Sequence, residues 1–438
     1  MSDIVFLLLG LWVAWKVFKA SRFPEAGFIF IFSFALYVYS GAILMGFDDY
    51  YSSAPQYPQL LTMVRGGFLI MVLACLLVSR FPTLAAPDFK GYHALSRLES
   101  NAISILAGAC VVACLIYLII MPGNPLAAMY ANSEAVALER EAVTAKMKSF
   151  GFFSNIFYFY MPIAWLVLYF QGKQKTAYLV LFINMMTLMA TGQKSPLVYS
   201  LLYLILAVGL SRGRFNYRVA GMGGLVVAIL LIGVVVMQNW HLLSGVNESV
   251  IWPAVEALWR RVFMLGAIVL LDYMQTFPDA HPFLIQQASS LPPDRIVYIN
   301  TFGEEIAGTV NAVSLGNFYA YFGEIYLAIL LMFFLVLAFN AGGWALRKMM
   351  GLNPISQALY VVYCVVGVKL VITDWYTVLP AFWLSCFVTL GFVYAFQMGY
   401  FFWQSGKPVA YGKYWLVVSS LIALLYFAQG QARFLISL

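Results

Sequence analysis

Apolar blocks of bilayer-crossing length recur along nearly the whole chain, separated by short polar runs. A helix of about 20 apolar residues matches the roughly 30 Å hydrocarbon core of a membrane. The blocks lack the alternation of half-buried helices or strands, so they read as segments surrounded by lipid. Backbone groups in lipid must pair within a helix or in a closed barrel, and a barrel would alternate along each strand. Charge scarcity agrees: 10% of the residues are charged, against about 25% in soluble domains. An ordinary soluble protein is excluded. The expected fold class is all-α, a polytopic membrane helical bundle.

Spans are expected near 4–19, 27–46, 60–79, 102–121, 151–170, 176–190, 197–211, 219–238, 324–344, 356–373, 379–402 and 414–434, about twelve in all, within one integral-membrane domain over 1–438. The first block has no basic leader and no small-residue cleavage site, so it reads as an uncleaved span. The blocks 176–190 and 197–211 are short and flank the turn Thr191-Gly192-Gln193-Lys194-Ser195-Pro196. Two short helices meeting at a polar tip suggest a hairpin whose tip enters a wet cavity. The run 262–271 is too short to span and reads as an interfacial or re-entrant helix.

The net charge of +7 is a matter of topology. Lys16, Lys19, Arg22, Arg80, Lys90, Arg97, Lys173, Lys175, Arg212, Arg214, Arg218, Arg347, Lys348, Lys407 and Lys413 fall in alternate loops with few acids. The positive-inside rule makes those loops cytoplasmic and puts both termini outside. No basic patch points to nucleic acid. Cys75, Cys110, Cys114, Cys364 and Cys386 lie within apolar spans, with neither disulfide nor metal spacing. Two external segments break the lipid pattern, 122–150 and the long 239–323. Loops of the second length are usually functional.

The informative residues are cations in or beside spans on the external side: Arg65, Lys194, Arg260, Arg261 and Lys369. A cation at a helix centre costs about 2.5–3.5 kcal/mol on insertion scales, so it faces protein, water or a counter-ion. Glu256 can pair with Arg260 and Asp374 lies near Lys369, whereas Arg65 and Lys194 have no partner nearby in the sequence. Converging cations short of carboxylates suggest an anion, and the anion native to an apolar site is a lipid phosphate or diphosphate. Phosphate-binding loops, zinc-protease and hydrolase motifs are absent. His93 reads as cytoplasmic, while His241 and His281 read as solvated loop residues. Asp48-Asp49 is a weak pattern for a divalent metal. Glu304-Glu305, with Asn311 and Asn317 behind them, places acids and amides before a span, where a carboxylate could serve as general base.

With these residues in view, the chain resembles the Wzy-type O-antigen polymerases, which polymerise lipopolysaccharide repeat units. Arg140 and Gly151, with ten residues between them, match a spacing of that family's external loop. Gly192-Gln193-Lys194 with Pro196 resembles its hairpin turn, and Arg260-Arg261-Val262-Phe263 the start of its second large loop. The Gly that should follow Arg260 by eleven residues is Leu271 here. Glu305-Ile306, Asn317-Phe318, Tyr321-Phe322-Gly323, Val368-Lys369-Leu370 and Thr377-Val378-Leu379 resemble the later segments. The resemblance implies a GT-C-like fold in the bacterial inner membrane, with the site facing the periplasm. It implies transfer of a growing glycan from one undecaprenyl diphosphate to a sugar hydroxyl of a new lipid-linked unit. Donor and acceptor are then both undecaprenyl-diphosphate-linked oligosaccharides, with membrane lipids around them, and a chain-length regulator protein is a further candidate partner. No cofactor, metal or nucleic acid is expected.

Arg260 and Arg261 are then catalytic and Glu305 is the candidate base, while Arg140, Lys194, Lys369, Asn317 and Tyr319 bind substrate. Arg65 joins them from the charge census alone. Trp252, Trp259 and Tyr321 are candidates for stacking on sugar rings. The alternatives are an O-antigen ligase, a flippase or transporter for lipid-linked sugars, and a metal-dependent membrane glycosyltransferase using Asp48-Asp49.

Overall fold

A computed structural model describes residues 2–18, 25–79, 94–120, 155–190, 195–212, 221–222, 225, 229, 255–256, 259–260, 262–277, 293–303, 313–350, 353–373 and 375–405. Every regular element among them is helical. Among the described residues, six helices are long and apolar enough to cross a membrane: Ala26–Met45, Tyr57–Val78, Arg97–Ile120, Ile325–Met349, Pro354–Ile372 and Val378–Tyr400. That is half of the twelve spans expected. The first helix and the two helices of the expected hairpin have 17 residues each, about 25 Å at 1.5 Å per residue. The expected span 219–238 has only scattered described residues, and 414–434 lies outside them.

The helices are α1 (Ser2–Phe18), α2 (Ala26–Met45, with a π-turn at Ala35–Tyr39), α3 (Asp49–Ser52), α4 (Tyr57–Ser79) and α5 (Arg97–Ile120). There follow α6 (Ile156–Phe170, opening with a π-turn at Ile156–Tyr160), α7 (Gln174–Ala190), α8 (Ser195–Ser211) and α9 (Leu265–Thr276). The last are α10 (Pro293–Phe302), α11 (Ser314–Phe322), α12 (Ile325–Met350), α13 (Pro354–Ile372) and α14 (Trp375–Ser405).

Helix α13 is the centre of the bundle. It packs against α2, α6, α8, α12 and α14, and 89% of its apolar window is buried. Its start is fixed by local chemistry: the Asn353 side chain accepts from the Ser356 amide at 2.9 Å, and Pro354 occupies the first turn. Close approach of α12 uses glycines. A Cβ at Gly343 would lie 3.3 Å from Ala26 and from the Tyr363 ring, and one at Gly342 would collide with the Tyr363 hydroxyl at 2.4 Å. Small residues let helices approach in lipid, where packing rather than water exclusion drives association. Large apolar side chains such as Leu8, Trp12, Ile119 and Phe182 remain exposed, as a bilayer-facing surface requires. All five cysteines are buried and unpaired with each other.

The end of the bundle holding Met45 and Tyr57 is here called the outer end. Helix α13 stops short of it, and α11 covers its tip: the Ser314 hydroxyl donates to Leu370 O at 2.5 Å and to Thr373 O at 3.2 Å. The next residue, Leu315, packs against Gly67, 3.1 Å from where a Cβ would sit. Gly323, in the left-handed region at φ 72°, ends α11 and turns the chain into α12. Helix α9 lies beside α11 and against α2 and α4. Twelve residues make it about 18 Å long, too short to cross the membrane. It is the short helix expected over 262–271, displaced to 265–276.

Candidate functional site

Helix α9 and the turn before it are held against α2 at van der Waals limits. The Ser40 hydroxyl reaches Phe263 O at 3.4 Å. A Cβ at Gly41 would meet Phe263 O at 2.4 Å, and one at Gly266 would meet the Tyr37 ring at 2.5 Å. Tyr37 belongs to the π-turn of α2, where one extra residue swells the helix and re-aims its side chains. On its other side α9 meets α11, where Gly316 leaves room for Tyr273 and Leu270. The Tyr273 hydroxyl donates to Asn317 Oδ1 at 2.7 Å in a buried contact. The short α9 is therefore anchored on both sides.

Arg260 stands on the helical stretch leading into α9, and its backbone carbonyl accepts from the Met264 amide at 2.9 Å. Its guanidinium pairs with Glu256 at 3.1 Å, one turn earlier, as the sequence expects, and both side chains are about half exposed, at 54% and 51%. An exposed pair of this kind is worth about 0.2–1 kcal/mol, so the guanidinium can be surrendered to a stronger anion at little loss. Trp259 beside it is exposed and packs on Phe263 with ring centroids 4.2 Å apart. Tyr51 of α3 lies in the field of the same group. Burial pushes its phenol up, the Arg260 charge pulls it down, and Asp48 and Asp272 push it up. The Asp48 carboxylate caps α3 by accepting from the Tyr50 amide at 3.0 Å.

Arg65 has a counter-ion that its neighbourhood in the sequence does not show. Asp3 of α1 accepts from Arg65 Nε at 2.5 Å and from Nη2 at 2.8 Å, and Tyr39 of the π-turn donates to the same carboxylate at 3.2 Å. This correction turns Arg65 from an unbalanced cation into the bidentate half of a tie between α1, α2 and α4. Hydrogen bonds to charged groups contribute about 1.5–3 kcal/mol. Arg65→Ala should lower the thermal midpoint of the detergent-purified protein, and the exchange Asp3→Arg with Arg65→Asp should recover most of the loss. Equal midpoints for the single variant and the unmodified protein would show that the tie contributes nothing.

Lys369 sits in the last turn of α13, 5% exposed. Its ammonium lies 5.1 Å from the Tyr158 ring centroid, 4.5 Å from Phe159 and 5.0 Å from Tyr199. It also reaches Tyr158 O at 3.5 Å. Tyr158 and Phe159 belong to the π-turn of α6, whose shifted pairing exposes backbone carbonyls. Asn184 of α7 and Tyr203 of α8 serve the carbonyls of Phe157 and Tyr158, each at 3.5 Å. The ammonium is thus held in an aromatic cage where α6, α8 and α13 meet.

Asn317, bonded to Tyr273 of α9, and Tyr319 are both buried on α11, so a sugar reaches neither side chain unless α11 moves. Tyr321 is half-buried. Arg140, Lys194, Trp252, Arg261, His281, Glu305 and Asp374 lie outside the described residues.

One residue of this region escapes a census of cations: Asp272 on α9. It is half-buried between buried Leu271 and Tyr273. Its signal in the sequence is an acid inside an otherwise apolar run, which by default marks function in a membrane chain. Comparison of the chain with protein-family models, curated proteins and solved structures finds no match.

Proposed function

We propose that the protein polymerises undecaprenyl-diphosphate-linked oligosaccharide repeat units at the outer face of the bacterial inner membrane, in a GT-C-like bundle of about twelve spans. The observation that carries this reading is Arg260, a half-exposed guanidinium next to a helix anchored at the outer end of an apolar bundle, balanced among the described residues by one weak exposed pair. A guanidinium fork suits the oxygens of a diphosphate leaving group, whose developing charge it stabilises during transfer. Arg261, Arg140 and Lys194 join it from the resemblance of the motifs around them. Lys369 supplies a buried charge in the last turn of α13, and Trp259 offers an exposed ring for a sugar. Asn317 and Tyr319 line the helix that faces α9. Arg65, held by Asp3, acts on the fold rather than on the diphosphate. A carboxylate takes the proton of the acceptor hydroxyl, and the sequence offers Glu305 for it.

An O-antigen ligase would use the same donor chemistry with a different acceptor, so the acceptor separates the two. The test is purified protein with one synthetic lipid-diphosphate repeat unit, with and without EDTA. A ladder of products that survives EDTA is the expected result. No ladder, together with movement of the lipid between vesicle leaflets, would replace the polymerase by a transporter.

A further inference from the structure

Five acids near the outer end have something to do or face water. Asp3 holds Arg65, Glu256 holds Arg260 and Asp48 caps α3, while Asp49 and Glu324 are exposed. Asp272 differs from them all. It is half-buried, and its carboxylate has no hydrogen bond or ion pair with any described residue. Helix α9 holds it in place, because Gly266 seats one flank on Tyr37 and Gly316 of α11 accepts the other flank, where Tyr273 is tied to Asn317. Arg260 stands on the stretch that leads into α9, its carbonyl accepting from the Met264 amide at 2.9 Å, so the cation and the carboxylate belong to one continuous segment. A carboxylate with no ion pair among the described residues, on a helix anchored on both sides and led into by a cation whose own pair is weak, is the arrangement a group transfer needs.

We infer that Asp272 is the carboxylate that takes the proton from the acceptor sugar hydroxyl in the transfer proposed above, on which this inference rests. The acceptor O–H bond breaks as its oxygen bonds to the anomeric carbon of the donor. The proton goes to an Asp272 carboxylate oxygen. The electron pair of the anomeric C–O bond leaves with the lipid diphosphate, whose charge the Arg260 guanidinium stabilises. Asp272 thus takes the place for which the sequence offered Glu305. Burial raises its carboxyl to about 6, and a base is most effective when its pKa lies near the working pH. The inference also gives Leu271 and Tyr273 a purpose: both are buried, and they hold the residue between them at one point of the helix.

The experiment uses the purified full chain with a synthetic undecaprenyl-diphosphate-linked repeat unit as probe. Asp272→Asn should slow elongation by about 10²–10⁴-fold while the protein stays monodisperse in detergent. Asp272→Ala should be as slow, and added formate should restore part of its rate by supplying a diffusible carboxylate. A defect of folding would not respond to formate. Elongation by Asp272→Asn at the unmodified rate overturns the assignment, as does an Asp272→Ala variant that formate leaves inactive. Formate rescue of Glu305→Ala in place of Asp272→Ala would return the role to Glu305. Failure of the unmodified protein to make any ladder sinks the polymerase reading itself, which separates the two failures.

Discussion

Arg260→Ala is expected to abolish chain elongation while leaving the protein folded. The two halves of that expectation have separate physical grounds. The guanidinium makes one described ion pair, with Glu256 at 3.1 Å, and both partners are about half exposed. Such an i, i+4 pair contributes a few tenths of a kcal/mol, so its loss should not move the thermal midpoint measurably. Removing one preorganised donor aimed at a developing negative charge slows an enzyme by about 10²–10³-fold. Arg260→Lys should recover only part of the rate, because an ammonium is a point charge and cannot present the two parallel N–H groups of the fork. Glu256→Gln releases the guanidinium from its partner and should not reproduce the loss. The measurement is the product ladder per folded molecule, with the midpoint recorded on the same preparations. Normal chain lengths from Arg260→Ala would remove Arg260 from the site and take away the observation on which the proposed function stands. Lys194→Ala, tested alongside, should behave like Arg260→Ala if the hairpin turn supplies a second cation.

What the sequence makes legible here is what depends on neighbours along the chain. The long spans follow from runs of apolar residues, and α4, α5, α12 and α13 lie close to the blocks expected at 60–79, 102–121, 324–344 and 356–373. The two 17-residue helices α7 and α8 are likewise visible as short blocks around a polar turn. Helix α9 shows where hydropathy stops being enough. The apolar run ends at Leu271 because Asp272 is charged, yet the helix continues to Thr276, since Tyr273 and Met274 bury their side chains beyond it. The residue that broke the pattern is the one now assigned a chemical role. Contacts between distant segments have no sequence signature. Asp3 and Arg65 are separated by 62 positions, and only the packing of α1 on α4 brings them together. The π-turns at Ala35–Tyr39 and Ile156–Tyr160 are equally silent, since one extra residue in a turn changes no composition. Their effect is nevertheless large, because one presents Tyr37 and Tyr39 to α9 and Asp3, and the other supplies two of the three rings around Lys369.

Lys369→Met should keep the fold and lose elongation, and the balance of forces in the cage says why. Three rings within 4.5–5.1 Å attract the ammonium, an interaction worth about 2 kcal/mol or more when desolvated. The opposing term is the penalty for taking a charge out of water, still several kcal/mol per ion after relaxation. No carboxylate among the described residues pairs with it to offset that penalty. The rings are thus set against a desolvation penalty that no described counter-ion offsets. Methionine keeps a flexible apolar stem among Tyr158, Phe159 and Tyr199 and removes the charge, so the thermal midpoint should hold or rise. A cation retained against stability, in the last turn of the helix that α11 covers, makes sense if its field acts on a bound anion. On that account Lys369→Met slows elongation by roughly 10²-fold, the scale of one lost electrostatic contact in a water-excluded site. Lys369→Glu places an anion against the electron-rich faces of three rings and should prevent folding altogether. The decisive comparison is rate per folded molecule against midpoint for Lys369→Met. A midpoint that falls by several degrees with an unchanged rate would make the cage purely structural and take Lys369 out of the diphosphate site.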